Sequence, residues 1–213
     1  MKEKKLAIIG AGELGKQILN LLKYSIEKYN CIGFFDDTFK QGEIIMDSIP
    51  VIDNIKNIKY YSNKNLFDEV IIGIGYKHIN FRSELYEKFK NKLNFAKITS
   101  AKSIIDESAT VKNGVVIYPG CTIDKQVTIN ENVLINLGCI ISHDSEIGAN
   151  SFIAPGVVIS GFVKIGKNCF IGSGTVIKDN IIIEDNVVIG AGSVVIRDVI
   201  KNSKIAGNPA KKI

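Results

Sequence analysis

The segment CIISHDSEIGANSFIAPGVVIS, residues 139–160, decides the fold of most of this chain. Within it every sixth residue is isoleucine, from Ile141 to Ile159. The same spacing continues in both directions, from Ile105 to Val195, and all sixteen positions are isoleucine or valine with no insertion. An α-helix has a period of 3.6 residues and a half-buried strand has a period of 2, so neither produces a strict period of six.

A parallel β-helix built from hexapeptide repeats has this period. Three short strands form a triangular coil of about eighteen residues, and neighbouring coils pair at a strand spacing of about 4.8 Å. Each repeat points one branched aliphatic side chain into the prism, and the stacked coils bury a continuous core. The sequence therefore predicts an all-β, left-handed parallel β-helix of about five coils.

The cysteines fit the same pattern. Cys121, Cys139 and Cys169 each precede an inward aliphatic residue by two positions, where small or β-branched residues recur, and with Cys31 they show no CxxC spacing. Free cysteine packs well as a small apolar side chain. We interpret these three cysteines as core residues rather than nucleophiles or metal ligands.

Glycine or asparagine follows many of the inward aliphatic residues, as at Gly148, Gly166, Asn168, Gly172 and Gly190. These positions fall at the corners between strands. Both residue types tolerate a positive φ, so we expect left-handed backbone at these corners.

The N-terminal part carries a different pattern. Residues 5–9 (KLAII) predict a buried strand, and Gly10, Gly12 and Gly15 form a G-x-G-x-x-G motif before a helical pattern. In that context glycines allow a diphosphate to approach the backbone and the helix N-terminus. The alternatives are a tight strand-to-helix turn without a ligand, a site for NAD, and a site for a sugar nucleotide.

Further strands support an α/β domain. A strand from Cys31 to Phe35 ends in Asp36-Asp37, and a strand from Val70 to Ile74 ends in Gly75 before a helix near residues 79–92. About four strands fit this length, without the second mononucleotide half of a dinucleotide-binding fold. This favours a sugar nucleotide with one diphosphate over NAD.

Composition sets the outer limits. The chain has 213 residues, of which 46% are hydrophobic, and its net charge of +5 comes from scattered lysines. No basic block indicates nucleic acid, and small anionic substrates remain possible. We expect a Rossmann-like domain over residues 1–97 and the β-helix over residues 98–213. We also expect a soluble, cytoplasmic protein, because neither a signal peptide nor a membrane span is recognisable.

The whole chain resembles the family of sialic-acid O-acetyltransferases and nucleotide 4-amino-sugar N-acetyltransferases. The resemblance rests on Gly10–Gly15, Asp36-Asp37, residues 136–144 (NLGCIISHD), Ala154-Pro155-Gly156 and residues 206–211 (AGNPAK). It implies a homotrimer, with acetyl-CoA in the groove between adjacent β-helices and the nucleotide of the sugar on the N-terminal domain.

The resemblance also implies roles for particular residues. His143 would be the catalytic base, oriented by Asp144. The residues expected to bind the nucleotide sugar are Gly10, Gly12, Glu13, Leu14, Gly15, Asp36, Asp37, Gly75, Arg82 and Asn136. Those expected to bind acetyl-CoA are Phe152, Gly161, Ile171, Gly172, Ile189, Gly190, Pro209 and Lys211, with Lys204 and Lys212 as further candidates for its phosphates. No metal is expected.

The period itself supports part of this assignment. His143 lies two residues after the inward Ile141 and should therefore stand near a corner. Histidine titrates near neutrality, as a general base for an amine or hydroxyl requires. Gly161 lies eighteen residues later, directly above in the next coil, where its N–H would stabilise the tetrahedral oxyanion. A glycine required only by the corner is the alternative.

The chain departs from the family at two positions. Leu14 and Phe152 stand where the family often has histidine, which affects the contacts to the sugar nucleotide and to the acetyl group respectively. His78, after the predicted strand, either contacts a diphosphate together with Arg82 or is exposed without a role.

These patterns favour N-acetylation of a UDP- or dTDP-linked 4-amino-4,6-dideoxy sugar, with O-acetylation of a sialic-acid type sugar as the alternative. A β-helix that serves only as a scaffold or binding module is the non-enzymatic alternative, and NAD binding would indicate an oxidoreductase. A γ-type carbonic anhydrase needs three histidines on a metal, and this β-helix has one.

Overall fold

The computed structural model describes residues 3–213. The chain forms two compact units that meet in sequence between Ile98 and Thr99. Within the described residues no helix is long and apolar enough to cross a membrane.

The N-terminal unit contains a five-stranded sheet in the order β3-β4-β2-β1-β5. Strands β4, β2, β1 and β5 are parallel, and β3 runs antiparallel to β4 at the edge. The elements are β1 (Lys4–Ile9), α1 (Glu13–Leu21), β2 (Tyr29–Phe35), β3 (Ile44–Met46), β4 (Ile49–Asp53), α2 (Ile58–Asn63), β5 (Glu69–Ile72) and α3 (Ile79–Phe89), with 3₁₀ turns at Leu22–Tyr24, Ile55–Asn57 and Tyr76–His78. The expected α/β fold is present, and the β3–β4 hairpin adds an antiparallel edge strand to the four that the sequence led us to expect.

The glycine motif lies between β1 and α1, in the predicted strand–turn–helix context. Gly10 has a φ of +102°, a conformation that glycine adopts readily. A methyl group on Gly15 would overlap the carbonyl oxygen of Gly10, so the first turn of α1 packs directly on the end of β1. Two of the three motif glycines are thus required by the turn itself.

The C-terminal unit is a left-handed parallel β-helix, as the period of six predicted. It begins with β6 (Ile98–Thr99) and ends with the antiparallel hairpin of β23 (Lys204–Gly207) and β24 (Ala210–Lys212). Between them lie sixteen strands of two residues each: β7 (Ile104–Ile105), β8 (Thr110–Val111), β9 (Val116–Ile117), β10 (Thr122–Ile123), β11 (Thr128–Ile129), β12 (Leu134–Ile135), β13 (Ile140–Ile141), β14 (Glu146–Ile147), β15 (Phe152–Ile153), β16 (Val158–Ile159), β17 (Lys164–Ile165), β18 (Phe170–Ile171), β19 (Val176–Ile177), β20 (Ile182–Ile183), β21 (Val188–Ile189) and β22 (Val194–Val195).

These strands form three sheets, which we name faces 1, 2 and 3 of the prism. Face 1 has the order β22-β19-β16-β13-β10-β7, face 2 the order β20-β17-β14-β11-β8, and face 3 the order β24-β23-β21-β18-β15-β12-β9-β6. Paired residues between β7 and β22 are eighteen apart, as Ile141 and Ile159 are in β13 and β16. Residues eighteen apart therefore stack in columns along the prism.

The aliphatic residue of the repeat ends every strand from β7 to β22 and faces the core, and from Ile117 to Val195 each is at most 2% exposed. The predicted packing role of the cysteines is confirmed, since Cys121, Cys139 and Cys169 belong to the same buried cluster. The Cys139 thiol donates to the carbonyl oxygen of Ala154 at 3.1 Å, so even the sulfur atoms are engaged in the core.

The prediction for the corner glycines was wrong in detail. Asn168 has a positive φ of 57°, but Gly148, Gly166, Gly172 and Gly190 do not. Left-handed backbone occurs instead at the third residue after the inward aliphatic. At these four positions a side chain would strike the next coil: a Cβ on Gly172, for example, would lie 2.5 Å from the Ala191 nitrogen.

Candidate active site

His143 lies at the corner that joins faces 1 and 2, two residues after the end of β13. The next residue, Asp144, has a φ of 59°, a conformation that aspartate tolerates better than most residues. This turn brings the Asp144 carboxylate to 2.9 Å from Nδ1 of His143. The side chains are 39% and 28% exposed respectively, so the pair is accessible from solvent.

The contact between the two residues has a chemical consequence. A carboxylate at Nδ1 favours the tautomer in which Nδ1 carries the proton and Nε2 has a free lone pair. Nε2 makes no hydrogen bond within residues 3–213. The imidazole is therefore oriented to accept a proton at Nε2, which is the arrangement a general base needs.

Gly161 lies against the imidazole, one coil further along the same corner. A Cβ on Gly161 would be 2.7 Å from Cε1 and 2.9 Å from Nε2 of His143, closer than real carbon contacts. Its φ is not positive, so the corner alone does not require glycine here. The space occupied by the imidazole explains the glycine, and the Gly161 N–H donates no hydrogen bond within the described chain.

Phe162 completes the surroundings of the imidazole, and sequence reasoning missed it. Its ring meets the His143 ring edge-on, with centroids 5.1 Å apart and an interplanar angle of 86°. The column rule, by which residues eighteen apart stack along the prism, could have predicted this contact. Phe162 stands eighteen residues after Asp144 and next to Gly161.

Apart from Gly161, the residues expected to bind acetyl-CoA lie elsewhere on the β-helix. Gly172 and Gly190 share the corner between faces 3 and 1, and Phe152 lies in β15 on face 3. Asn136, expected to bind the sugar nucleotide, lies on the same corner as the two glycines. The N–H groups of Gly172 and Gly190 donate to the next coil, so they are not available to a ligand. A single copy of the chain does not bring this corner together with His143.

Four further candidates for the acetyl-CoA site divide into two pairs. Ile171 and Ile189 are fully buried in the prism core, so their side chains cannot contact a cofactor. The repeat directs these side chains inward, so only the backbone of the two residues is left to contact acetyl-CoA. Pro209 and Lys211 are exposed at the closing hairpin, in reach of a ligand.

Apart from Asn136, the residues expected to bind a sugar nucleotide lie in the N-terminal unit. Gly12 caps α1 and is exposed, with open space where a side chain would be, and Glu13 is also exposed. Leu14 and Gly15 are buried in the first turn of α1. Of the motif residues, Gly12 leaves the helix N-terminus most open to an anion.

Asp36 and Asp37 hold the backbone around this turn. The Asp36 carboxylate accepts hydrogen bonds from the Ala11 N–H at 2.7 Å and from the Thr38 N–H at 2.8 Å. Burial raises the pKa of Asp36, but these hydrogen bonds, with those from the Thr38 hydroxyl and the Phe39 N–H, outweigh it and hold the pKa below its usual value. Asp37 accepts a hydrogen bond from the Ile55 N–H at 2.9 Å.

The remaining candidates follow β5. Gly75 has extended backbone before the 3₁₀ turn that contains His78, and His78 is exposed. Arg82, in α3, is 0% exposed, and burial lowers the pKa of its guanidinium to about 9. The expected joint contact of His78 and Arg82 with a diphosphate is therefore not available in this arrangement, because the α3 backbone directs Arg82 into the protein.

Two family models match the chain. The "PglD N-terminal domain" matches residues 5–89, and "Bacterial transferase hexapeptide (six repeats)" matches residues 162–197. The acetyltransferase domain of PglB from Neisseria gonorrhoeae FA1090, solved in complex with acetyl coenzyme A, is 26% identical with a TM-score of 0.88, and the match covers 100% of both chains.

The chain carries a PglD N-terminal domain and bacterial transferase hexapeptide repeats, and it is an acetyltransferase. Two more distant structures share its fold. PerB from Caulobacter crescentus, in complex with CoA and GDP-perosamine, is 22% identical with a TM-score of 0.89 over 98% of this chain and 97% of that one. WeeI from Acinetobacter baumannii AYE is 23% identical with a TM-score of 0.83 over 98% and 99%. None of the curated proteins compared with this acetyltransferase matches it significantly in sequence.

Proposed function

We propose that the protein transfers the acetyl group of acetyl-CoA to the amine of a nucleotide-linked 4-amino-4,6-dideoxy sugar. The observation that carries this proposal is the His143–Asp144 pair, 2.9 Å apart, with Gly161 against the imidazole. The acetyl-CoA complex of the similar PglB domain supports the choice of acetyl donor.

The reaction proceeds by direct transfer. His143 Nε2 removes a proton from the amine as the nitrogen attacks the thioester carbon. The new C–N bond forms, the C–S bond breaks, and the coenzyme A sulfur leaves as a thiol after it receives the proton from the imidazolium. The Gly161 N–H donates to the developing oxyanion, and Asp144 stabilises the positive charge on His143.

We also propose that two copies of the chain form each site. Gly172 and Gly190, expected to bind acetyl-CoA, lie on one corner of the prism, whereas His143 lies on the next corner of the same chain. A second β-helix beside the first would place one copy's acetyl-CoA corner opposite its neighbour's His143. A closed homotrimer provides three such grooves, and Lys204, Lys211 and Lys212, all exposed, would contact the phosphates of the coenzyme.

The N-terminal unit would hold the nucleotide. The open α1 N-terminus at Gly12 suits the diphosphate, because the first N–H groups of a helix attract anions. Asp36 and Asp37 support that turn through their backbone hydrogen bonds. Gly75 lies three residues after the neighbouring strand β5 and is partly exposed.

An acceptor panel with acetyl-CoA tests the proposal. Thiol release is followed with UDP-, dTDP- and GDP-linked 4-amino sugars and with free sialic acid. We expect release with one nucleotide-linked amine and an amide in the product by mass spectrometry. Thiol release with sialic acid alone would assign O-acetyl transfer instead. If none of the acceptors gives thiol release and calorimetry detects no binding of acetyl-CoA, a scaffold role is left.

Two variants run beside the wild type. His143→Ala should lower kcat by about 10²- to 10⁴-fold, the usual contribution of a general base. Glu107→Ala is the matched control, because Glu107 is exposed at the same corner position two coils away. Equal losses in both variants would contradict the role of His143.

A further inference from the structure

Phe162 has an unusual backbone conformation for its residue type. Its φ is 60°, in the left-handed region, where a bulky side chain is an outlier. The other residues with positive φ at this corner position are Gln126, Asp144 and Asn180, all polar. Strained positions of this kind cluster at functional sites, and the inference runs from the outlier to the function.

Folding does not explain the choice of phenylalanine. The residue is 52% exposed, so its ring contributes little to the core of the prism. Its contacts are with the candidate base: the Phe162 N–H donates to the carbonyl oxygen of His143 at 3.1 Å, and the two rings meet edge-on at 5.1 Å. Such aromatic pairs are favourable in this geometry.

The imidazole is thus enclosed on three sides. Asp144 binds Nδ1, Gly161 lies under Cε1 and Nε2, and Phe162 meets the ring at right angles. If Asp144 were the only contact, the imidazole could still rotate about its side-chain bonds. The Phe162 ring, nearly at right angles to the imidazole, blocks this rotation.

We propose that Phe162 is a positioning residue that holds the His143 imidazole with Nε2 directed at the acceptor. This inference rests on the proposed function and deepens it. In this role Phe162 acts through His143 and not by contact with the acetyl group or the acceptor. Its loss should therefore lower kcat and leave the KM of both substrates within about twofold.

The test replaces Phe162 by residues that separate the effect of its ring from the effect of its backbone conformation. Phe162→Asn suits a positive φ and should fold with an unchanged or higher Tm, while kcat falls about tenfold. Phe162→Tyr keeps the ring edge and should restore most of the activity. Gln126→Asn, at the same corner position two coils away, is the matched control and should behave as the wild type.

NMR of the histidine side chains provides a readout that does not depend on catalysis. The chain has only two histidines, so the ring signals of His143 and His78 are resolved and His78 serves as the internal reference. We expect Phe162→Asn to shift the His143 signals, as the ring current is lost, and to leave those of His78 in place.

The outcomes separate the two proposals. An active wild type, with kcat lowered and the His143 signals moved in Phe162→Asn, supports the inference. Unchanged kcat in Phe162→Asn, or a raised KM at constant kcat, overturns the inference alone. A wild type without transferase activity overturns the proposed function, whereas unmoved His143 signals in Phe162→Asn overturn the contact itself.

Discussion

The contact between Gly161 and His143 makes Gly161→Ala the most informative substitution. The added methyl would lie 2.7 Å from Cε1 and 2.9 Å from Nε2 of the imidazole. Carbon atoms rest at about 3.5–4.0 Å, so the ring has to move by about 0.8 Å or more. The N–H of residue 161 stays in place, so the substitution tests the position of the base and not the oxyanion donor.

The expected effect on catalysis follows from this displacement. A misplacement of about 1 Å can lower a rate by about 10²-fold, which corresponds to about 2.7 kcal/mol. We therefore expect kcat to fall by roughly 10- to 100-fold in the thiol-release assay. Stability should change by less than about 1 kcal/mol, because φ at Gly161 is not positive and alanine restricts the unfolded chain.

A double-mutant cycle isolates the contact. In His143→Ala the ring is absent, so adding Gly161→Ala should no longer produce a clash and should raise Tm slightly. Ser160→Ala is the control for a change beside the site that adds no atom. Wild-type kcat in Gly161→Ala, with His143 NMR signals unmoved, would refute the reasoning that the imidazole packs on this glycine.

Three further predictions concern the carboxylates and the core. Asp144→Asn should lower kcat about 10²-fold or more with little change in KM, because the wrong histidine tautomer is then favoured; equal kcat would exclude the orienting role. The folded pKa of Asp36 is depressed, so its stabilisation should be complete well above the unfolded value of about 3.9 and lost as pH falls below it. Acid denaturation followed by circular dichroism should show that dependence weakened in Asp36→Asn, and an identical profile would contradict it. Native protein treated with iodoacetamide should keep its activity and its four thiols, because Cys31 and the three core cysteines are buried; modification of the native protein at Cys139 would contradict the packing.

Much of the fold could be predicted from local patterns. Each hexapeptide repeat buries its own aliphatic residue against its neighbours, so the sixteen positions from Ile105 to Val195 fixed strands, core and columns without any distant information. The column rule also placed Gly161 above His143. The β3–β4 hairpin was not predicted, because its strands are short and their pairing depends on the sheet that receives them.

The candidate site was predicted less completely. Ile171 and Ile189 were expected to contact a cofactor, yet the repeat that identified the fold also directs them into the core. Arg82 was expected to contact the nucleotide sugar, but its side chain is fully buried. The position of a residue along the chain can indicate that it lies near a site. Only the packing shows whether its side chain reaches that site.

The sequence by itself determined the period, the inward residues, the strand–turn–helix context of the glycine motif and the histidine at a corner. Only the tertiary structure shows why particular positions are glycine, because the reason is which atoms of the next coil lie where a side chain would be. It also decided that the His143 imidazole is held by Asp144, Gly161 and Phe162 together. Orientation of a side chain is set by neighbours eighteen residues away, which a local pattern does not contain.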